Sequence, residues 1–396
     1  MKIAYLAWHG SVHTRRWVAW FAARGHEVHV VTCGGGDARD VDGDGRPVEL
    51  AYQVHDLGEP RVGKLGYLLK MGAARRTVRA LEPDVVHAHW LTSYGLLALA
   101  CYWRGWKSAP PLAVTAHGDD VLIAPRSRAL RPIVQRVLRA AQLVTVPSDV
   151  MAEAAMELIR PSDPPRAGIA VFQYGVETAR LAQVGRLVRA ERDPRGSRPD
   201  EPLRIVSARA LLDLYRIDAL VDAVGLLHHR GVHVHCDLLG DGPGRAALEG
   251  QVERLGLATH VTFHGAVTPG VVERFVAASD AYVSVSESDG VSLALLEALA
   301  LGAVPVLSDI PANRPWVNDG STGVLVDIDP TSIAEGIVRA RDMAGEREQL
   351  AADNLAVVGE RADRDTNLAA CELLLDSLVG VSWNPEPVDA DAVTDA

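Results

Sequence analysis

The chain has 396 residues. At roughly 100–200 residues per domain, that is room for two domains, each with a core of its own. Hydrophobic residues make up 48% and charged residues 23%, ordinary values for a water-soluble globular chain, and the net charge of −11 would repel a polyanion, which excludes nucleic acid as a partner. Cys33, Cys101, Cys236 and Cys371 lie far apart with no C-x-x-C. That pattern fits a reducing cytosol and argues against a disulfide scaffold or a zinc site.

The N-terminus, "MKIAYLAWHG", lacks the charged start, apolar stretch and cleavage site of a secretory leader. From there strands and helices alternate. The expected strands are "KIAYLAW", "HEVHVVT", "DVVHAH", "LAVTAH", "LVTVPS" and "IAVFQY". Helical stretches separate them, such as "HTRRWVAWFAARG", with apolar residues every three or four positions and a stop at Gly25. Short apolar strands alternating with helices predict a parallel sheet covered on both faces. "KLGYLLKMGAARRTVRA" and "RSRALRPIVQRVLRA" read as basic amphipathic helices, able either to pack on the core or to lie on an anionic membrane surface. No apolar run reaches the ~18 residues of a membrane span, so a cytoplasmic protein is expected, with peripheral membrane contact through these helices as its one link to a bilayer.

Composition changes at "VRAERDPRGSRPDEP", residues 188–202, which is charged, proline-rich and nearly free of apolar residues. A linker over 181–202 separates a first domain, 1–180, from a second, 203–364. The halves differ in charge: residues 1–180 hold 22 Lys/Arg and 17 Asp/Glu, residues 181–396 hold 18 and 34. This asymmetry suggests units with different partners. The second series of strands runs "LRIVSAR", "HVHCDLLGDGPG", "HVTFHGAV", "AYVSVSES", "AVPVLSDI" and "TGVLVDI". A helix over about 365–380 could pack back on the first domain, and residues 383–396 read as a disordered acidic tail.

The fold class is therefore α/β, with two Rossmann-like doubly wound domains facing across a cleft. Ligands of such sheets bind beyond the carboxyl ends of the strands. The most informative segment lies there: "DAYVSVSESDGVSLALLEALALG" passes from a strand through Asp289 and Gly290 into a helix from about Ser292. A helix N-terminus presents free N–H groups and partial positive charge to a phosphate, and Gly290 allows close backbone approach. Asp289 can accept hydrogen bonds from sugar hydroxyls, and Glu297 can reach a ribose diol. The plainer alternative has Asp289 capping the helix and Glu297 solvated, but Glu297 sits between "LALL" and "ALAL".

The stretch "SESDGVSLALLEALALGAVPVLSDIPANRPWVNDGSTGVLV" resembles the donor segment of the retaining nucleotide-sugar glycosyltransferases of family 4, which have the GT-B architecture. Asp289-x7-Glu297 matches that family's Glu-x7-Glu spacing, with Asp in first place. "PDVVHAHW", "VTAHG", "QYGVE" and "GDGPGRAALEGQVERLGLATHVTFHGAV" follow the family's order along nearly the whole chain. The resemblance implies a metal-independent hexosyltransferase with no cofactor, a UDP- or GDP-sugar donor, and a glycan, lipid-linked or small-molecule acceptor. It implies Glu297 at the donor ribose and Asp289 at the transferred sugar. Gly290, Val291 and Ser292 supply N–H groups, and Arg209 grips the diphosphate with a planar donor set suited to phosphate oxygens. The family's lysine before a glycine is missing: "LYRI" puts Tyr215 or Arg216 there, and Arg216 is the candidate replacement cation. Gly265 and Val267 would meet the nucleobase. His117 in "VTAHGDD" would hold a sugar hydroxyl, Gly10 would admit the donor, and Ser11, His13 and Arg16 are acceptor-side candidates.

"GDGPG" is not G-x-G-x-x-G, which argues against a nicotinamide dehydrogenase. His87-x-His89 and His233-x-His235 could each be half a metal site, but no acid or cysteine nearby completes one. Two other functions remain open on sequence: a sugar-nucleotide epimerase, and a catalytically silent nucleotide-sugar binder.

Overall fold

The computed structural model describes residues 1–39, 47–60, 66–102, 106, 108–159, 168–191 and 202–379. It divides into two units, residues 1–174 with the C-terminal segment from Thr366, and Gly175–Asp365.

In the first unit, β1 (Lys2–Leu6), α1 (Val12–Ala23), β2 (Glu27–Thr32), β3 (Gln53–Asp56), α2 (Gly66–Leu81), β4 (Val85–His89), α3 (Leu96–Tyr102), β5 (Leu112–Thr115), α4 (Asp119–Leu122), α5 (Arg131–Ala140), β6 (Leu143–Val146), α6 (Asp149–Leu158) and β7 (Ile169–Val171) follow one another. The strands form a parallel sheet in the order β3-β2-β1-β4-β5-β6-β7. Both faces are covered. Leu6, Val31, Leu97, Val114 and Leu138 belong to the core on one side; Ile3, Tyr5, Trp17, Phe21 and Val30 belong to the other. That is why β1 is apolar at nearly every position instead of at alternate ones. The helix Arg364–Leu378 lays Leu368, Cys371, Leu375 and Leu378 into this second core. The edge strand β3 escapes sequence reading because its residues are exposed or half-buried.

The second unit continues with α7 (Thr178–Ala190), β8 (Leu203–Ser207), α8 (Ile217–His229), β9 (Val234–Leu239), α9 (Arg245–Arg254), β10 (Val261–Gly265), α10 (Pro269–Ala278), β11 (Ala281–Ser284), α11 (Leu293–Leu301), β12 (Val304–Ser308), β13 (Val324–Val326), α12 (Pro330–Asp342) and α13 (Arg347–Ala362). Its parallel sheet has the order β10-β9-β8-β11-β12-β13. Residues 181–190, placed in the linker on composition, are helical instead. Leu181, Ala182 and Gly185 are buried among the arginines of α7, and Leu181 joins the core formed with Leu295, Leu299 and Val358. The rest of that linker, residues 192–201, and the 383–396 tail lie outside the described residues.

Of the two basic helices, α5 buries Val134, Val137 and Leu138 in the core. By contrast, α2 leaves Leu68 and Leu69 43% and 77% exposed. No helix among the described residues is long and apolar enough to cross a membrane.

Candidate functional site

In each sheet the strand order reverses once, between β1 and β4 and between β8 and β11. The two chain segments that leave the carboxyl ends at such a reversal diverge to opposite faces and open a crevice. In the second unit they carry Arg209, two residues past β8, and Asp289, five past β11.

The two side chains meet. Arg209 Nη2 donates to Asp289 Oδ2 at 2.7 Å, with only 9% and 18% of the side chains exposed. Arg209 Nη1 donates to Ser292 Oγ. Ser292 is also the N-cap of α11, accepting from the Leu295 N–H at 3.3 Å. A cation at a helix N-terminus adds positive charge to the positive end of the dipole, and Asp289 is what offsets it here. Burial works against the Arg209 cation, but Asp289, Tyr282 and Tyr215 outweigh it and raise its pKa. Arg209 Nε and Ser207 Oγ are buried without a hydrogen-bond partner among the described residues.

Burial raises the pKa of the Tyr282 phenol on β11; Arg209 opposes the shift, and the Asp289 and Glu297 charges add to it. Glu297 lies just over one turn into α11 and is half-buried, between the buried Leu296 and Ala298.

The "GDGPG" run has a structural task here. A Cβ on Gly240 would stand 2.2 Å from the Arg209 carbonyl oxygen, and Gly240 has φ +147°. A Cβ on Gly242 would come within 2.6 Å of the Leu211 oxygen. The loop presses on the backbone that presents Arg209, which only glycine permits. Gly240 N–H donates to Gly265 O at 2.9 Å. This ties the base-side candidate Gly265, itself at φ +69°, to the same loop. Val267 and Val291 pack partly buried against the core beneath, and Gly290 is half-buried in the loop before α11.

Arg216 departs from expectation. It adopts φ +45°, ψ +40°, the left-handed conformation a glycine would hold without strain. Its guanidinium turns to Asp218, at 3.0 Å through Nε and Nη2, and to Glu287 at 3.2 Å. It does not join the Arg209 cluster. Its neighbour Tyr215 does: the Arg209 guanidinium carbon lies 3.9 Å from the centre of the Tyr215 ring.

In the first unit, the loop after β1 and the segments after β4 and β5 come together. His117 is held by its backbone N–H, which donates to Asp120 Oδ1 at 3.0 Å, and its Nε2 is 3.1 Å from His89 Nδ1. Its ring lies between Trp90, 4.0 Å away and nearly parallel, and Tyr174 at 4.9 Å. Trp90 opens a π-helical turn, Trp90–Gly95, with φ +64°. Burial, then His89, His13 and His87, push the His117 pKa well below the ordinary value, so its imidazole is neutral near pH 7 and suited to hydrogen bonding rather than to carrying charge. Burial pushes Asp120 up to about 6 against three backbone hydrogen bonds. His87 Nε2 pairs with Thr115 Oγ1 at 2.6 Å, so the His87-x-His89 pair holds this network together. His235 meets Thr262 Oγ1 at 3.2 Å.

Gly10 faces the exposed Trp8: a Cβ there would meet its ring at 2.6 Å. The loop is fixed by Arg15 Nη1, which donates to His9 O and Gly10 O at 3.1 and 2.8 Å. Ser11 is buried at the N-cap of α1, with the exposed His13 and the half-buried Arg16 behind it.

Two family models match the chain: "Glycosyl transferase 4-like" over residues 2–148 and "Glycosyl transferases group 1" over residues 188–354. Among relatives, N-acetyl-alpha-D-glucosaminyl L-malate synthase of Bacillus anthracis is 22% identical over 329 residues, 80% of each chain. Among solved structures, sucrose-phosphate synthase from Thermosynechococcus elongatus superposes with a TM-score of 0.75 at 16% identity, covering 96% of this chain and 99% of its own. Anabaena HepE, in complex with UDP and glucose, superposes with 0.72 at 18% identity, covering 95% and 100%. With two parallel-sheet units and both family models in place, the chain belongs to the glycosyltransferases of GT-B architecture, 4-like in its first half and group 1 in its second.

Proposed function

We propose that this glycosyltransferase takes its sugar from a UDP- or GDP-sugar and delivers it with retention at the anomeric carbon. The observation that carries this reading is the meeting of Arg209, Asp289 and Ser292 at the N-terminus of α11. A nucleotide sugar reacts by losing a diphosphate, and the negative charge grows on the phosphate oxygens as it leaves. A buried guanidinium and the first N–H groups of α11 are preorganised positive groups at that point. They supply the role a metal ion fills elsewhere, so the proposed chemistry is metal-independent and needs no cofactor. UDP in complex with HepE supports a nucleotide donor and favours uridine as the first base to test.

In the proposed step, the bond from the anomeric carbon to the β-phosphate oxygen breaks. The acceptor oxygen bonds to the same carbon on the same face, and the acceptor proton passes to a β-phosphate oxygen. Asp289 accepts a hydroxyl of the transferred sugar, and Glu297 takes the ribose diol. Gly290, Val291 and Ser292 offer N–H groups to sugar and phosphate, and Gly265 and Val267 border the base. On the first unit, the neutral His117 imidazole is assigned to a sugar hydroxyl and Gly10 to admitting the donor, with Ser11, His13 and Arg16 on the acceptor side. A glycan, lipid-linked or small-molecule acceptor fits this chemistry. The reading of a cytoplasmic protein touching a membrane peripherally rests on α2, whose Leu68 and Leu69 are exposed beside Lys70.

The test is to incubate the protein with UDP- and GDP-hexoses of α configuration and follow the released sugar by NMR before mutarotation. Nucleoside diphosphate and the α anomer are expected. Release of the β anomer would overturn retention, and no release from any donor would overturn the donor assignment.

A further inference from the structure

We infer that Tyr215 is the positioning residue of the diphosphate site, and that its ring face keeps Arg209 in place when Asp289 exchanges its partner for the substrate. The inference rests on the donor-site reading above and concerns how the Arg209 cation stays oriented. Three groups hold the Arg209 guanidinium: Asp289 Oδ2 on one edge, Ser292 Oγ on another, and the Tyr215 ring on one face at 3.9 Å. Nε is buried and unpartnered among the described residues. A diphosphate needs N–H donors of the guanidinium, and a sugar hydroxyl needs Asp289, so binding of a nucleotide sugar breaks or stretches the Arg209–Asp289 pair. The Tyr215 contact alone uses no N–H donor and no acceptor. A π face attracts the cation whether its N–H groups point at a carboxylate or at phosphate, so this contact survives the exchange.

The local backbone is built to hold that ring. Tyr215 closes a short 3-10 turn, Asp213–Tyr215, and its N–H donates to Leu212 O at 3.0 Å. The Glu287 N–H donates to Leu214 O at 3.0 Å, which ties the turn to the segment leading to Asp289. Arg216 then takes the left-handed conformation, which carries the chain from the turn into α8. The Tyr215 ring packs partly buried against the core of Leu211, Ile217 and Leu220. With Arg216 committed to Asp218 and Glu287, how well the Arg209 guanidinium is oriented bears directly on the affinity for diphosphate.

The experiment is calorimetric titration of wild type, Tyr215→Phe and Tyr215→Ala with UDP, GDP and uridine, alongside melting curves without ligand. Phenylalanine keeps the face and loses only the hydroxyl, so its affinity for the preferred diphosphate is expected within twofold of wild type. Alanine is expected to weaken that affinity roughly 3–30-fold, the range for losing a partly desolvated cation–π contact, while uridine binding is unchanged. A uniform loss for uridine and diphosphate in Tyr215→Ala would show a general collapse of the turn and overturn the inference. So would Tyr215→Ala binding diphosphate as wild type does, or Tyr215→Phe failing as badly as alanine. If wild type binds neither diphosphate, the donor-site reading itself falls, and this inference with it.

Discussion

Gly240→Ala tests how Arg209 is presented, at a position assigned no contact with ligand. Two costs add at that position. The backbone holds φ +147°, a region that side chains rarely adopt, and forcing one there costs about 1–3 kcal/mol. The new Cβ would also stand 2.2 Å from the carbonyl oxygen of Arg209 and 2.9 Å from its carbonyl carbon. Backbone cannot rotate out of the way as a flexible side chain does, so the β8 exit must shift by an amount comparable to the overlap, about 1 Å. A shift of that size spoils hydrogen bonds, whose energy falls steeply with geometry, and it acts on the residue that pairs with Asp289 and Ser292. The expected result is a loss of about 2–4 kcal/mol in urea unfolding. At least tenfold weaker nucleoside diphosphate binding should accompany it. Gly270→Ala is the matched control: nothing lies within 4 Å of its Cβ, it sits in the first turn of α10, and it should be neutral or gain up to about 1 kcal/mol. If Gly240→Ala unfolds and binds nucleotide like Gly270→Ala, the account of the glycine loop as the support for Arg209 is wrong.

Arg216→Gly removes a left-handed side chain, a gain of about 1 kcal/mol, and breaks pairs with Asp218 and Glu287 that are partly exposed and worth about as much or less. Unfolding free energy should move by less than about 1 kcal/mol, with diphosphate affinity unchanged by titration; a tenfold loss of affinity would return Arg216 to the phosphate clamp. Acid should destabilise the first unit. Burial, with His89 nearby, holds His87 well below its ordinary value, and burial alone takes His89 down to about 3. Their stabilising contribution is therefore complete above about pH 6.5 and is lost as pH falls toward the folded values, because the unfolded imidazoles bind protons first. From pH 7 to pH 5 each contributes a loss of roughly 2 kcal/mol. Asp120, raised to about 6, returns roughly 1 kcal/mol over the same interval as its folded carboxyl takes up a proton. Urea titrations should show the net drop, and His87→Gln should reduce it; equal stability of wild type at both pH values would contradict the buried neutral pair.

The strand and helix alternation was legible because a doubly covered sheet demands apolar runs of a kind that surface strands lack. "KIAYL", "LAVT" and "VPVLS" all show it. The meeting of Asp289, Ser292 and Arg209 was legible for a related reason. A strand that ends in Ser-Asp-Gly before a helix leaves little choice about where Asp289 and Ser292 stand, and Arg209 leaves the neighbouring strand on the same edge. Other features were hidden. Leu181 and Gly185 of α7 sit among arginines, so composition read part of a packed helix as linker. No residue type announces that Arg216 would take a glycine's conformation, and without that knowledge Tyr215 and Arg216 could not be told apart as neighbours of Arg209. The ring sandwich around His117 joins Trp90 and Tyr174, far apart in sequence. The sequence showed that "GDGPG" is no dinucleotide fingerprint but not what its glycines do, because their close contacts are with the chain's own backbone at Arg209 and Leu211.

The central claim is that the carboxyl edge of the second unit binds a nucleoside diphosphate through Arg209 and the start of α11, with Glu297 at the ribose. A thermal-shift titration of wild type, Arg209→Ala and Glu297→Ala with UDP and GDP tests it most directly, because a ligand that binds only the folded state raises the melting temperature. One of the two nucleotides should raise the melting temperature of wild type and leave both variants nearly unmoved. Wild type that ignores both nucleotides, or variants that shift as far as wild type, would contradict it.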